Sequence, residues 1–294
     1  MAETLHYTPT PARVRSRIGQ WTVSKQLGRG AHGKVYSATN SAGSVVAIKT
    51  MSHTTRARNI AVTLEKITSL AVVDNCIHVL RLLETIPTLS PHASTNTPTH
   101  EVNFVLQPAV AYTLSEYSSS SSIKGNPAPL QLLRDILEGI GFLHSHALMH
   151  GDIKPPNIGV SHGRAILLDA DDARGLPDGK TMLPTPGKGG TVGWLAPERE
   201  LEPYDKTVDI WATGVVAFQL FFGHHLWMGE NPWKAGNNHL QLDFETKYGM
   251  AVQKLEDRAS PVDDLILWML RHPYTMEINP GRRLDAQKAL EHAC

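Results

Sequence analysis

Alternating apolar and polar residues predict β-strands in the first third of the chain. Residues 21–27 alternate large apolar and polar side chains, and residues 35–39 and 45–49 are two further strand patterns. Such alternation is typical of strands with one buried face. Two more strands are predicted at residues 79–83 and 102–106. Between them, residues 87–100 are rich in Pro, Thr, Ser and Asn, and this composition predicts a loop.

Helical spacing of apolar residues begins at residue 54 and dominates the second half of the chain. Residues 54–72 place Ile60, Leu64, Ile67 and Ala71 on one face, which predicts an amphipathic helix. A second helix is predicted at residues 130–146, after a serine-rich stretch at 118–129 that predicts a loop. Residues 210–222 are apolar all round, as expected for a helix at the centre of a domain.

Composition and charge narrow the class of protein. The 294 residues carry 28 Lys+Arg and 28 Asp+Glu, so no overall field attracts nucleic acid or an anionic membrane. Cys76 and Cys294 are far apart, which indicates a reducing compartment or indifference to redox. The longest apolar segment, residues 210–223, is too short to span a bilayer. We expect a soluble monomer in the cytoplasm or nucleus.

The segment His-Gly-Asp-Ile-Lys-Pro-Pro-Asn at residues 150–157 is the strongest candidate for chemistry. Asp152 can accept a hydroxyl proton while the carbonyl of Asn157, five residues later, holds a metal ion. Asp169, at the end of a short apolar run, can supply a second metal ligand. This combination predicts a phosphoryl-transfer site. The alternative is a polar turn between a helix and a hairpin.

A glycine-rich hairpin precedes this segment by more than a hundred residues. Gly28, Gly30 and Gly33 are followed by Val35 in a strand pattern, whereas a dinucleotide-binding glycine motif leads into a helix. Without side chains, backbone N–H groups can approach phosphate oxygens. Lys49 ends an apolar strand, so its ammonium can contact phosphates, although a surface lysine with a buried stem has the same pattern.

Taken together, these motifs resemble the eukaryotic protein kinases of the Ser/Thr type. The resemblance covers residues 21–292 and includes Gly190–Glu198, Asp209 with Trp211, and residues 280–290 near the C-terminus. It implies an α+β, two-lobed fold with a small antiparallel-sheet N-lobe carrying one key helix and a large, mainly helical C-lobe. The implied divisions are a flexible lead at 1–18, a nucleotide-binding N-lobe at 19–107 and a C-lobe at 108–294.

The resemblance also implies roles for individual residues. The nucleotide would contact Gly28, Gly30, Gly33, Val35, Ala47, Lys49, Gln107 and Ala109. Catalysis would use Asp152 as the acceptor of the hydroxyl proton, Lys154 at the γ-phosphate, and Lys49 oriented by Glu65. Asn157 and Asp169 would hold Mg²⁺. Asp209 would anchor the catalytic loop, and Arg283 would pair with Glu198. The implied reaction uses ATP and Mg²⁺ to phosphorylate Ser or Thr in protein substrates.

Several positions depart from the family pattern. Gly151 replaces the Arg that binds a phosphorylated activation segment, so activity is predicted to be independent of phosphorylation at Thr181, Thr185 or Thr191. Ala170 and Asp171 replace Phe and Gly, which predicts lost packing and a flipped state that is harder to reach. Gly159 replaces an apolar residue under the adenine, which predicts a thin pocket floor and weak ATP binding.

Because of these departures, two alternatives to an active protein kinase stay open. One is a pseudokinase that folds and binds partners with weak or no catalysis. The other is a small-molecule kinase of the aminoglycoside or choline kinase type, which the His150–Asp152 and Leu168–Ala173 segments also resemble. The motifs at Gly190–Glu198, Asp209 and Arg283 argue against this second alternative.

Overall fold

The computed structural model of the chain describes residues 17–30, 33–91, 98–119, 128–176, 182–184, 189–201, 203–227, 238–271 and 282–292. The strands are β1 (Arg17–Ile18), β2 (Trp21–Gly30), β3 (Gly33–Thr39), β4 (Val45–Ser52), β5 (Arg81–Pro91), β6 (Pro98–Gln107), β7 (Tyr112–Thr113), β8 (Leu148–Met149), β9 (Ile158–Ser161), β10 (Arg164–Leu167) and β11 (Arg174–Gly175). The helices are α1 (Thr55–Val73), α2 (Leu114–Ser119), α3 (Pro129–Ser145), α4 (Glu198–Leu201), α5 (Val208–Phe222), α6 (Asn238–Arg258), α7 (Pro261–Met269) and α8 (Ala286–His292).

The chain divides into two compact units, one of residues 1–57 with 83–109 and one of residues 58–82 with 110–294. The first unit contains a sheet with strand order β1-β2-β3-β4-β6-β5, in which β1 to β4 and β6 pair antiparallel in that order. One face of this sheet is the core, formed by Trp21, Ala38, Val46, Ile48 and Val105. The strands predicted at residues 21–27, 35–39, 45–49 and 102–106 are therefore confirmed.

The loop predicted at residues 87–100 is wrong at both ends. Strand β5 continues to Pro91 and β6 begins at Pro98, with residues 92–97 outside the described part of the chain. The strand predicted from residue 79 begins at Arg81, since Val79 forms only an isolated bridge with Leu167. Pro87 lies in β5, an edge strand of the sheet, where proline is tolerated. The proline-rich composition therefore misled the prediction.

The second unit is mainly helical, and α5 lies in its core. Every residue from Val208 to Phe218 is buried, as the all-round apolar pattern predicts. The helix ends at Gly223, where φ is +76° and the N–H donates to the Gln219 carbonyl at 2.9 Å. The predicted helix at 130–146 is α3, and α1 occupies the segment predicted at 54–72. Most of the serine-rich stretch, residues 120–127, is outside the described residues.

These elements confirm an α+β fold with a sheet-rich N-terminal region and helices later in the chain. The divisions at residues 18 and 107 stay predictions. In the described residues, none of the helices is both long enough and apolar enough to cross a bilayer.

Candidate active site

A tight hairpin brings the two predicted metal ligands to one end of a strand pair. Strands β9 and β10 are joined by His162 and Gly163, with φ of +50° and +76°. Two consecutive positive φ values fit the two-residue turns that match strand twist. The register pairs Leu167 with Ile158, and the Leu168 N–H donates to the Asn157 carbonyl at 2.8 Å. Asn157 and Asp169 are therefore held at the same open end of the hairpin.

The Asp152 carboxylate is the centre of a hydrogen-bond network. Thr191 donates its hydroxyl to Asp152 Oδ1 at 2.7 Å, and Lys154 Nζ lies 2.8 Å from Oδ2. The Lys154 ammonium also donates to Thr191 Oγ1 at 2.6 Å. Asn157 donates from Nδ2 to Asp152 Oδ2 at 2.8 Å and to the Asp152 carbonyl at 2.9 Å. The structure thus brings together three sequence-predicted residues, Asp152, Lys154 and Asn157.

Local sequence explains why this loop keeps its shape. Pro155 and Pro156 fix φ in a single 3-10 turn, and the Asn157 N–H closes it on the Lys154 carbonyl at 2.9 Å. Ile153 is buried in the core of the second unit and fixes the loop from within. The short turn places the charged ends of Asp152 and Lys154 next to Asn157.

Asp209, at the start of α5, holds the same loop through its backbone. Its carboxylate accepts from the N–H groups of His150 at 2.8 Å and Gly151 at 2.9 Å, and contacts His144 Nε2 at 3.0 Å. Burial alone would raise the pKa of Asp209. The hydrogen bond and charge of His144, with the charge of His150 and the Gly151 N–H, outweigh burial and lower that pKa. The predicted anchor is confirmed.

Gly151 could not carry a side chain in this conformation. Its φ is +81°, and a Cβ atom would lie 2.8 Å from the Asp172 carbonyl oxygen. Both the backbone and the space therefore require glycine here. The absence of Arg at this position is thus built into the loop. Of the three candidate phosphorylation sites, Thr191 contacts Asp152, whereas Thr181 and Thr185 are outside the described residues.

In the first unit, the predicted nucleotide-contacting residues share one face of the sheet. Cross-strand pairing aligns Gly28 with Val35 and Val35 with Lys49, while Ala47 pairs with Leu106. Paired residues point to the same side, so this face is opposite to the core face of Val46 and Ile48. Lys49 is buried on that face.

The glycines of this hairpin differ in what they require. A Cβ at Gly33 would lie 2.3 Å from the Thr50 carbonyl, so this position needs glycine for strand approach. Cβ atoms at Gly28 and Gly30 would meet nothing within 4 Å, which leaves their backbone open. Ala31 and His32, which lie between Gly30 and Gly33, are outside the described residues.

The remaining predicted contacts lie at element ends or on an exposed face. Gln107 ends β6, its peptide bond to Pro108 is cis, and Ala109 ends the first unit. Glu65 lies on α1 with an exposed side chain. Pairing of Glu65 with Lys49 and adenine contacts at Gln107 and Ala109 stay predictions.

The structure shows what surrounds two of the departures from the family pattern. The gap expected at Gly159 is absent, because Val110 Cγ1 lies 2.5 Å from where a Cβ at Gly159 would be. Ala170 lines an open pocket together with Ile67, Val79, Leu80, Leu143, His150, Leu167 and Leu168.

The turn after Asp169 has a backbone that the sequence did not indicate. Positive φ falls on Asp169 itself, at +55°, and Asp171 continues into a 3-10 turn. A non-glycine residue in this region is strained, and such strain is concentrated at functional sites.

Sequence reasoning missed Asp172 and Arg199, which contact the backbone around Gly151 and Gly190. Asp172 accepts from the Gly190 N–H at 2.9 Å, and Arg199 donates to the Gly151 carbonyl at 2.7 Å. The available signal was the Gly189–Gly190 pair immediately before Thr191. Adjacent glycines often mark close backbone packing.

The Glu198–Arg283 pair was predicted and is confirmed. Arg283 donates to both carboxylate oxygens of Glu198, with Nη2 at 2.7 Å from Oε2. Both side chains are buried, and the guanidinium lies over the Trp211 ring at 4.9 Å. The pair ties the end of the segment after Thr191 to the region before α8.

Comparison with known proteins agrees with this geometry. The human phosphorylase b kinase gamma catalytic chain, liver/testis isoform, is 33% identical over 171 residues, which cover 55% of this chain and 38% of that protein. Mitogen-activated protein kinase kinase kinase 13 of Pongo abelii is 36% identical over 113 residues, covering 36% of this chain and 11% of that protein. The matched regions thus span well under two thirds of these relatives' lengths. The model of the protein kinase domain matches residues 21–294, so the chain belongs to the protein kinase domain family.

Proposed function

We propose that this chain transfers the γ-phosphoryl group of ATP to Ser or Thr hydroxyls of protein substrates. The observation that carries the proposal is the Asp152 carboxylate, held by Thr191, Lys154 and Asn157 at 2.7–2.8 Å. Phosphoryl transfer has a loose transition state, so catalysis rests on positioning and on neutralising charge. This network supplies both.

Asp152 accepts or orients the proton of the attacking hydroxyl. Its Oδ1 already accepts a hydrogen bond from a hydroxyl, that of Thr191 at 2.7 Å, a distance suited to proton transfer. Lys154 contacts both groups, and its ammonium offsets negative charge that develops on the transferred phosphoryl oxygens. The Asp209 contacts to the loop backbone keep this geometry fixed before substrate binds.

Asn157 and Asp169 fit a magnesium site. The side-chain nitrogen of Asn157, Nδ2, donates to Asp152. The side-chain oxygen, Oδ1, is therefore the atom of this amide that can bind a cation. An amide oxygen and the Asp169 carboxylate are the hard oxygen ligands that Mg²⁺ prefers. When bound there, Mg²⁺ would neutralise phosphate charge. The hairpin of β9 and β10 fixes the spacing of the two ligands.

The open face of the first unit is the proposed nucleotide surface. Gly28 and Gly30 leave backbone exposed to phosphate oxygens, and Lys49 offers an ammonium on the same face. Val35 and Ala47 supply apolar contact for a base, while Gln107 and Ala109 present backbone groups to the adenine edge. Gly33 keeps the hairpin narrow.

The test is a transfer assay with a matched loss-of-base control. Purified protein is incubated with Mg·ATP and a degenerate peptide array, beside the Asp152→Asn variant. We expect phosphate on Ser and Thr peptides, with at least a hundredfold less for Asp152→Asn. Equal transfer by both proteins would contradict the proposal, since the activity would then not come from this site.

Other outcomes assign the chain to the alternatives. A pseudokinase scaffold would show no Asp152-dependent transfer to any acceptor. A thermal shift measurement with Mg·ATP then distinguishes such a folded protein from an unfolded sample. Transfer to an aminoglycoside or choline in place of peptides would identify a small-molecule kinase. Light scattering tests the proposed monomer, and imaging of a tagged chain tests the proposed cytoplasmic or nuclear location.

A further inference from the structure

A carboxylate outside the proposed catalytic set packs directly against the segment that carries Thr191. Asp172 Oδ2 accepts from the Gly190 N–H at 2.9 Å. A Cβ at Gly189 would lie 2.6 Å from the Asp172 Cγ and from both carboxylate oxygens. The Asp172 side chain therefore lies on the bare backbone of two glycines, at a distance that no other residue would permit.

An arginine contacts the same backbone from another side. Arg199 is 3% exposed, and its Nη1 donates to the Gly151 carbonyl at 2.7 Å. A Cβ at Gly190 would lie 2.6 Å from that nitrogen and 3.0 Å from the Gly151 carbonyl oxygen. A Cβ at Gly151 would lie 2.8 Å from the Asp172 carbonyl. We call Gly151, Gly189, Gly190, Asp172 and Arg199 the glycine clamp.

All three glycines of the clamp have backbone conformations that favour glycine. Their φ values are +81°, +75° and +80° for Gly151, Gly189 and Gly190. Each position is thus constrained twice, by φ and by the space that a side chain would need. Such double constraint indicates a single defined arrangement of the three chain segments.

The clamp adjoins the proposed catalytic residues along the chain. Gly151 precedes Asp152, and Gly190 precedes Thr191, whose hydroxyl contacts Asp152 Oδ1. Fixing Gly151 and Gly190 against one another therefore fixes Thr191 against Asp152. We propose that Asp172 and Arg199 are positioning residues, and that Asp172, through its hydrogen bond to Gly190, holds the Thr191 segment in place of a phosphorylated residue. This inference rests on the proposed kinase function.

The first experiment removes the Asp172 carboxylate. Asp172→Ala should lower kcat at least tenfold and raise the peptide KM, with the KM for ATP changed less than twofold. Asp172→Asn keeps an oxygen that can accept from Gly190, so it should retain at least a third of the wild-type kcat. An Asp172→Ala enzyme with wild-type kcat and peptide KM would overturn the proposal, as would equal losses in both variants.

Two glycine variants distinguish an effect of the glycine clamp from the backbone strain that alanine causes at any position with positive φ. Gly189→Ala adds a Cβ against Asp172 and should lower kcat as Asp172→Ala does. Gly223→Ala has the same φ, +76°, but its Cβ would meet nothing within 4 Å. It should keep wild-type kcat per folded molecule. Equal kcat for the two variants would overturn the proposal.

Phosphatase treatment tests whether Asp172 takes the place of a phosphorylated residue. Wild-type protein shown by mass spectrometry to be free of phosphate should keep its full kcat. Loss of activity on dephosphorylation, restored by rephosphorylation, would overturn the claim that Asp172 replaces a phosphate.

Amide hydrogen exchange tests the glycine clamp without relying on catalytic activity. Residues 189–195 should exchange at least tenfold faster in Asp172→Ala than in wild type, and near the wild-type rate in Asp172→Asn. If the wild type shows no Asp152-dependent transfer, the proposed function fails but this measurement still applies. Equal protection in wild type and Asp172→Ala would overturn the clamp on its own.

Discussion

Val110 and Gly159 share one volume: Val110 Cγ1 lies 2.5 Å from the position that a Cβ on Gly159 would take. Gly159 is buried in β9, and its strand pairs with β7, which begins two residues after Val110. Leu168 Cδ1 closes a further side at 3.0 Å. Only one of the two positions can therefore carry a side chain that fills this space. In this chain it is position 110, and we propose that Val110 supplies the apolar floor expected from residue 159.

Gly159→Leu should destabilise the fold, because the added side chain would occupy the volume of Val110. Overpacking of this kind costs about 1–3 kcal/mol of unfolding free energy. The double variant Val110→Ala with Gly159→Leu should recover most of that loss. Urea unfolding of the wild type, both single variants and the double variant gives the coupling between the positions. Additive effects would show that the two side chains do not compete.

The same exchange makes a prediction about nucleotide binding. Val110→Ala removes two carbons from the proposed floor, which at about 0.8 kcal/mol per buried CH₂ weakens ATP by roughly tenfold. Calorimetric titration with ATP measures the change. An ATP affinity that stays within twofold of wild type would show that Val110 does not form the floor.

Asp209→Asn should remove part of the acid sensitivity of stability. The pKa of Asp209 is lower in the folded chain than its usual 3.8, so the folded state binds this proton less readily than the unfolded state. Its stabilisation is therefore complete above pH 3.8 and is lost as the pH falls through the folded pKa. The difference in unfolding free energy between wild type and Asp209→Asn should be largest at pH 5–7 and shrink below pH 3.8. A difference that stays constant with pH would contradict this assignment.

Periodicity in the sequence predicted the strands of the first unit and the buried helix α5. The Asp209 anchor and the Glu198–Arg283 pair were implied by the resemblance to the protein kinases. The Asp172–Gly190 contact could not be foreseen, because it joins irregular segments 18 residues apart through a backbone N–H. Val110 and Gly159 are 49 positions apart in the sequence. Only the packing shows that the missing side chain at Gly159 leaves the space that Val110 fills.

Arg283→Ala should be among the most destabilising single changes in the second unit. It leaves the Glu198 carboxylate buried without its guanidinium, which costs about 3–5 kcal/mol of unfolding free energy. Replacing both residues by Met should cost less than Arg283→Ala alone, because no buried charge is then left. Urea unfolding measures both.

The matched control is an exposed pair, Lys247 with Asp243, at 2.8 Å on α6. Lys247→Ala should change the unfolding free energy far less than Arg283→Ala does, since both side chains are nearly half exposed. If Lys247→Ala and Arg283→Ala lowered the unfolding free energy by similar amounts, burial would not be the reason why the Glu198–Arg283 pair stabilises the fold.

His225 should make the stability of this chain depend on pH between 6.5 and 4. Burial, with the charge of His224, lowers the pKa of His225 from 6.5 to about 4. Its Nδ1 accepts from the Trp227 N–H at 2.8 Å, and the ring meets Trp194 edge-on at 4.6 Å between centroids. The unfolded chain therefore binds a proton in this range that the folded chain does not, so stability falls as the pH is lowered. His225→Asn keeps an acceptor for Trp227 but cannot take up the proton. The stability advantage of wild type over His225→Asn should shrink steadily from pH 7 to pH 4.5. Thermal unfolding of both proteins across this range measures it, and parallel curves would show that the ring does not titrate there.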